Sequence, residues 1–559
     1  MKIPDRILRK PFPTLLLMAI VFSSGLQAQT THILVDSATQ VIDGTIAPYN
    51  NVHPGDTVFI AAGNRNKLQI RNFRGTETQP ILFTNKGGDV VISTNEYYGL
   101  SIINCRYFRI SGTGSNSQYG IRITKVLTGA GVGIGNLSSD FEMDHLSVEN
   151  CLTAGVYAKT EPDCSFTSTR DRFTQYNTSI HDNFINNTGN EGLYVGSSSY
   201  AGIHIICNGR DTTILPPLLA GVSIYNNIIQ NAGWDAIQVS SASKDCKIFN
   251  NNISHDSQGE MPNQMAGILM GGGSSCDCYN NLIMDGKGDG IENHGLGGNR
   301  IFNNIIVNAG RTYKPTDLSA IKHGIFISDI TTHPDSSYYI LFNDIINPKS
   351  DGIRFQSTKS HSSLIASNLI INPGNYQVYA SVNAGALPQD AYIRLPQKTN
   401  SVTIRNNFLN LDFAKAGISA TDYQILPGSP LINTASPENH NINIDYRNGR
   451  RPYGGLFDIG AMEFSSGPDT LLHAILVKPL LFPNPVIHTL TIRYFSTANQ
   501  ENRLQIRNSI GLPIMMQVFR STTTGMQEIQ LPVAQLPAGH YICTVFNGST
   551  TDNCQFIKL

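Results

Sequence analysis

From about residue 140 the chain repeats one pattern of apolar and polar positions: apolar, any, apolar or aromatic, Asn, Asn, any, aliphatic. Clear copies are SIYNNIIQN from Ser223, KIFNNNISH from Lys247, DCYNNLIMD from Asp277, RIFNNIIVN from Arg300 and TIRNNFLN from Thr403. Weaker copies begin at Ser179, Tyr339 and Leu364. A second phrase alternates with it: a small or acidic residue, Gly, an aliphatic, any residue, an apolar one. It is seen as AGVYA at Ala154, EGLYV at Glu191, DAIQV at Asp235, AGILM at Ala266, DGIEN at Asp289, HGIFI at His323 and DGIRF at Asp351. Both phrases have the period-two alternation of short strands, with turn residues between them.

Taking the second polar position of each first phrase gives Asn183, Asn227, Asn251, Asn281, Asn304, Asp344, Asn368 and Asn407, separated by 44, 24, 30, 23, 40, 24 and 39 residues. The short separations set a coil of 23 to 24 residues, and the longer ones are the same coil with an inserted loop. Coils of this size with at least two strands each predict an all-β solenoid in which every strand pairs in parallel with its equivalent in the next coil. Identical side chains then stack, and an inward Asn column can satisfy its amides from rung to rung. Cys246 and Cys276 each lie five residues before a ladder Asn, so the register predicts them in adjacent turns, as buried thiols or a disulfide, with thiols preferred.

Upstream, PGDTVFIAAG (from Pro54) and LQIRNFRGTETQPILFTNKGGDVVIS (from Leu68) resemble the opening coils of pectate-lyase-like right-handed parallel β-helix proteins. The segment 428–464 (GSPLINTASPENHNINIDYRNGRRPYGGLFDIGAMEF) resembles the closing segment of secreted bacterial β-helix proteins, with Asp445, Arg447 and Arg451 expected in turns and ion pairs that seal the stack. A Ser/Gly/Pro/Asp-rich linker is read at 465–475, and 476–559 reads as a small β-sandwich. Within it, FPNPVIHTLTI from Phe482 and LPAGHYICTVFNG from Leu536, ending in QFIKL, resemble the two halves of the type IX secretion C-terminal sorting domain of Bacteroidetes. That resemblance implies handling by the type IX machinery and release from, or attachment to, the cell surface.

The N-terminus fits export. Arg6, Arg9 and Lys10 precede an apolar run from Leu15 to Phe22 and small residues to Ala28, which reads as a signal peptide over 1–28 ahead of a β-helix spanning 29–464. The run is too short to span a bilayer, so no transmembrane segment is expected in the mature chain. A formal net charge of −1 offers no basic field, which excludes nucleic acid as a partner. Nine cysteines without a CxxC pair argue against structural zinc, and Cys543 and Cys554 are placed to bridge the terminal hairpin.

In the second phrase the unspecified position faces outward, which lines up Tyr157, Tyr194, Gln238, Leu269, Glu292, Phe326, Arg354 and, from AYIRL, Arg394. Two residues further on, Lys159, His294 and Ser328 also face outward. Such a strip suits a sugar polymer, since aromatic rings stack on pyranoses and planar polar groups bind hydroxyls and carboxylates. The paired-carboxylate pattern of polygalacturonases is not met: Asp235 stands alone, Asn293-His294-Gly295 is a partial Gly-His-Gly, and Ile321-Lys322 lacks its Arg. β-Elimination needs a base and a cation beside a uronate carboxylate. Glu292, His294, Lys322 and Arg354 are the candidate catalytic residues, and Tyr157, Tyr194, Gln238 and Arg394 the candidate substrate contacts. No cofactor is required, although Glu292 with Asp289 offers oxygens for calcium; DGKGDG from Asp285 reads as a Gly-rich turn. The expectation is a secreted carbohydrate-active protein, a polysaccharide lyase on uronate polymers, with a non-catalytic glycan-binding or adhesion protein as the alternative.

Overall fold

The computed structural model describes residues 32–313, 321–374, 392–396, 402–437, 440–465, 479–482, 486–496, 499–508, 512–521, 525–547 and 550–558. The signal peptide read at 1–28 and all but the first residue of the linker read at 465–475 lie outside them.

From His32 to Asn410 the described residues wind as a parallel solenoid with three strands per coil, because the Asn pair bends the first phrase into two strands. One coil consists of Ala242–Phe249 on a first face, Asn252–Ser254 on a second and Ala266–Met270 on a third. The next repeats it with Cys276–Tyr279, Leu282–Met284 and Asp289–Asn293. Equivalent residues pair: Ile248 with Cys278, Ile253 with Ile283, Ile268 with Ile291. The third face runs through twelve parallel strands, from Val41–Asp43 to Ile393–Arg394.

The two asparagines of the bend do different jobs. The first takes the left-handed conformation, with φ of 55° at Asn226, Asn250 and Asn280 and 53° at Asn303, where Asn is tolerated better than most residues. The second points inward and builds the ladder. Asn281 Oδ1 accepts from the backbone N–H (3.1 Å) and side-chain amide (3.0 Å) of Asn251, and its own Nδ2 donates to Asn304 Oδ1 (2.9 Å) and Ile248 O (3.0 Å). The ladder runs through Asn183, Asn227, Asn251, Asn281, Asn304, Asn343, Asn368 and Asn407. Asn343 therefore replaces the expected Asp344, since Phe342 occupies the left-handed position at φ 56°. Asp344 is instead buried beneath the closing segment, accepting from Ala461 N–H at 2.9 Å.

Ile, Val and Leu from all three faces fill the interior as one continuous core. The recurrent Gly of the second phrase is needed there: a Cβ on Gly290 would lie 2.4 Å from the Ile306 side chain and 2.6 Å from the Gly324 carbonyl. Cys246 and Cys276 face each other in register and form a disulfide rather than the preferred thiols, with Cα atoms 4.4 Å apart. A second disulfide, Cys164–Cys207, ties a loop to the hairpin of Ile203–Cys207 and Arg210–Ile214. Cys543 and Cys554 sit opposite each other in the terminal hairpin but are not bonded.

The segment 428–464 lies along the flank of the last coils instead of capping their end. It covers outward apolar residues of the first and second faces, including Phe302, Leu341, Ile346 and Leu369. Asp445 accepts turn N–H bonds from Arg447 and Gly449, Arg447 reaches Asp422 at 3.9 Å, and buried Arg451 pairs with Glu463 at 3.2 Å and lies 4.2 Å from the Phe342 ring. The C-terminal part forms two small antiparallel sheets, of three and four strands, around a core of its own. No helix among the described residues is long and apolar enough to cross a membrane.

Candidate functional site on the third face

Period-two alternation places the outward residues of the third face in one column. Tyr157, Tyr194, Gln238, Leu269, Glu292, Phe326, Arg354 and Arg394 follow each other in register, one per rung. Several are less open than a bare sheet would leave them: Tyr194 is 8%, Gln238 3% and Leu269 4% exposed. Chain inserted after the Tyr194 strand folds back here, with Tyr194 Oη 2.7 Å from Ser198 Oγ and the Tyr200 ring against Gly273. Gln238 is thus closed off from solvent, unlike the exposed position expected of it.

Three of the four candidate catalytic residues come together. His294 Nε2 lies 2.7 Å from Glu292 Oε1, and its Nδ1 is hydrogen-bonded to Ser328 Oγ on the adjacent rung. The Phe326 ring stands edge-on to the imidazole with centroids 6.1 Å apart. Lys322 Nζ is 3.4 Å from Asp289 Oδ2. Burial disfavours its charge, yet Asp289 and Glu292 outweigh this and raise its pKa, so it remains an ammonium. Arg354 stands two rungs from Glu292, about 10 Å along the axis, beyond Phe326. It and Arg394 on the next rung both reach Asp351, at 3.6 and 3.4 Å.

Tyr157 and Tyr194 form a separate aromatic pair, with centroids 5.8 Å apart and Lys159 Nζ 3.9 Å from the Tyr194 ring. The oxygens proposed for calcium are otherwise engaged: Asp289 holds Lys322 and the His323 N–H, and Glu292 holds His294. Among the described residues, the side chains whose ligand atoms gather within 4.8 Å are Glu142, Asp144 and His181 on the first face. There Arg109 already supplies the cation, 2.7 Å from Asp144 and 3.3 Å from Glu142.

Behind the outward column lies a row of which the sequence singles out only Asp289, as a calcium ligand. The heads of the second phrase, Glu191, Asp235, Asp289, His323 and Asp351, are all buried. Burial pushes Glu191 up to about 7, and pushes Asp351 to about 7 against the pull of Arg394 and Arg354. Asp289 rises to about 6 for the same reason despite Lys322, and Asp235 rises far above the carboxylate range through burial and the nearby Glu292 and Glu191. Burial and three neighbouring cations hold His323 neutral; its Nδ1 accepts the Asp351 N–H at 3.2 Å, leaving the proton on Nε2. The recurring acidic head of the phrase was the available signal.

Residues 201–409 match the family model described as right handed beta helix region, and 480–558 match that described as secretion system C-terminal sorting domain. No curated protein matches the chain. A crystal structure of the periplasmic alginate epimerase AlgG aligns with 67% of this chain and 85% of its own, at 12% identity and a TM-score of 0.28, too distant a likeness to bear on function. The chain is a right-handed parallel β-helix protein carrying a type IX secretion C-terminal sorting domain.

Proposed function

We propose that the third face binds a uronate-containing polysaccharide outside the cell and that Glu292, His294, Lys322 and Arg354 cleave it by β-elimination. The observation that carries this reading is the gathering of charge on that face: His294 on Glu292, Lys322 on Asp289, and Arg354 with Arg394 on Asp351. Removing such charges from water is costly. Clusters of this kind concentrate at sites that do chemistry.

Roles follow from protonation. Lys322 stays cationic, so it suits neutralising a uronate carboxylate better than removing a proton. His294, whose ring is oriented by Glu292, is the base for the proton beside that carboxylate. Arg354 and Arg394 engage further carboxylates along the chain, and Tyr157 offers a ring for sugar stacking. The sorting domain fits a polymer met outside the cell.

Purified protein incubated with acidic and neutral polysaccharides should generate unsaturated ends, read by ultraviolet absorbance. His294→Ala should reduce that rate about 100-fold or more, and Arg354→Ala should mainly raise KM. Reducing ends without unsaturation would replace elimination by hydrolysis. Binding without either product would establish the non-catalytic glycan-binding alternative.

A further inference from the structure

The elimination reading leaves Ser328 without a task, yet the serine completes a chain of three side chains: Ser328 Oγ, the His294 ring, and Glu292. A carboxylate only accepts hydrogen bonds, so in neutral His294 the contact at 2.7 Å puts the ring proton on Nε2. The lone pair of Nδ1 is then left facing the Ser328 hydroxyl, to which it is hydrogen-bonded. This is a nucleophile beside a base that a third group orients. The ring presents its two nitrogens the opposite way round from the serine proteases, with the proton still on the carboxylate side.

The three residues sit on a fixed frame. Ser328 and His294 follow adjacent strands of the third face, Ile325–Ile327 and Asp289–Asn293. The Ser328 N–H donates to Asn293 O at 3.0 Å, and Thr331 Oγ1 donates to His294 O at 2.7 Å. Both serine and histidine are partly exposed, so an incoming group can reach them.

We infer that Ser328, His294 and Glu292 form an acyl-transfer triad that removes ester substituents from a glycan lying on the third face. The inference shares with the proposed function the glycan on this face and the pair His294 and Glu292, and adds Ser328 as the nucleophile. Ser328 Oγ attacks the ester carbonyl carbon while its proton passes to His294 Nδ1. Collapse of the adduct breaks the acyl–oxygen bond, and the sugar hydroxyl leaves with that proton. Water, giving a proton to the same nitrogen, then cleaves the Ser328 ester, which releases a carboxylic acid and restores the serine.

The test treats the full chain with a fluorophosphonate and, separately, with p-nitrophenyl acetate. Expected are a covalent adduct mapped by mass spectrometry to Ser328, and ester hydrolysis that falls at least about 100-fold in Ser328→Ala and in His294→Gln. Glu292→Gln should lower kcat with little change in KM, a split that a merely structural contact would not give. Thermal melts of the variants check that they fold. The inference is overturned if wild-type protein takes no label at Ser328, or if Ser328→Ala hydrolyses the ester as fast as wild type. Neither readout depends on unsaturated ends, so elimination and ester cleavage succeed or fail separately.

Discussion

Asn281 illustrates how this interior accommodates amides. Its Oδ1 is the acceptor for two Asn251 donors, and its Nδ2 serves Ile248 O and Asn304. Asn281→Ala therefore strands several buried polar groups while leaving its apolar neighbours intact. At about 1–3 kcal/mol per unsatisfied group, relieved in part by entering water, a loss of about 3 kcal/mol is expected. Urea titration of the wild type and variant would measure it; a loss below about 0.5 kcal/mol would mean that the column adds little. Residue roles were legible to differing degrees. Alternation alone lined up Glu292, Phe326 and Arg354, since facing direction follows the strand period. The same alternation puts the phrase heads Asp235 and Asp351 on the inward side with Ile237 and Ile353, but the shift of their acidity depends on neighbouring coils that no local pattern encodes. The Asp344 position failed for a similar reason: Phe342 accepts a backbone conformation that its type disfavours, which shifted the apparent repeat by one residue.

A coil is the natural element here, and what joins one to the next is more than backbone pairing. On the outside of the first face His181, Tyr225, Phe249, Tyr279 and Phe302 stack ring on ring with centroids 4.5 to 5.0 Å apart, the spacing of parallel strands. Because the faces of these rings cover each other, only edges meet solvent, and the column stabilises the stack instead of offering a sugar platform. The sequence showed this element as an aromatic or apolar position before each Asn pair. It concealed the third strand, since both halves of one phrase look like a single run. The Cys246–Cys276 disulfide closes a loop of one coil, with a sequence separation of 30. A loop of that length corresponds to about 3–4 kcal/mol of chain entropy. In a solenoid each repeat touches mainly its neighbours, so the loss on reduction should be local. Hydrogen exchange is expected to speed up in Ala242–Phe249 and Cys276–Tyr279 of Cys246→Ser/Cys276→Ser protein, with the first coils unchanged. Uniform acceleration along the helix would show that the bond braces the whole stack.

For the whole molecule, the buried acids set a direction for stability against pH. Burial raises Glu191, Asp351, Asp344 and Glu463 to about 7 and Asp256 and Asp289 to about 6, and raises Asp235 well above its ordinary value. In the unfolded chain these groups ionise near pH 4. Between about pH 4 and 7 the folded form therefore holds protons that the unfolded form has released, and stability falls as pH rises through that window. His181, raised to about 9 by Asp182 and Glu142 against the cost of burial, adds to the same trend, because the stability from its charge is lost as pH rises from about 6.5 up through that value. His323, kept neutral by burial, opposes it below about pH 6.5, as one group against many. Asp144, held low by Arg109 and His145 despite burial, ionises too early to contribute above pH 5. Thermal unfolding should accordingly show a Tm lower by about 5 °C at pH 8 than at pH 5. Asp235→Asn keeps the shape and removes a charge that burial disfavours, so it should narrow that gap by raising Tm at pH 8 while leaving the pH 5 value nearly unchanged. An equal or higher wild-type Tm at pH 8 would mean that the row of acids behind the third face is ionised without penalty. The electrostatic case for a reactive groove would then lose its foundation.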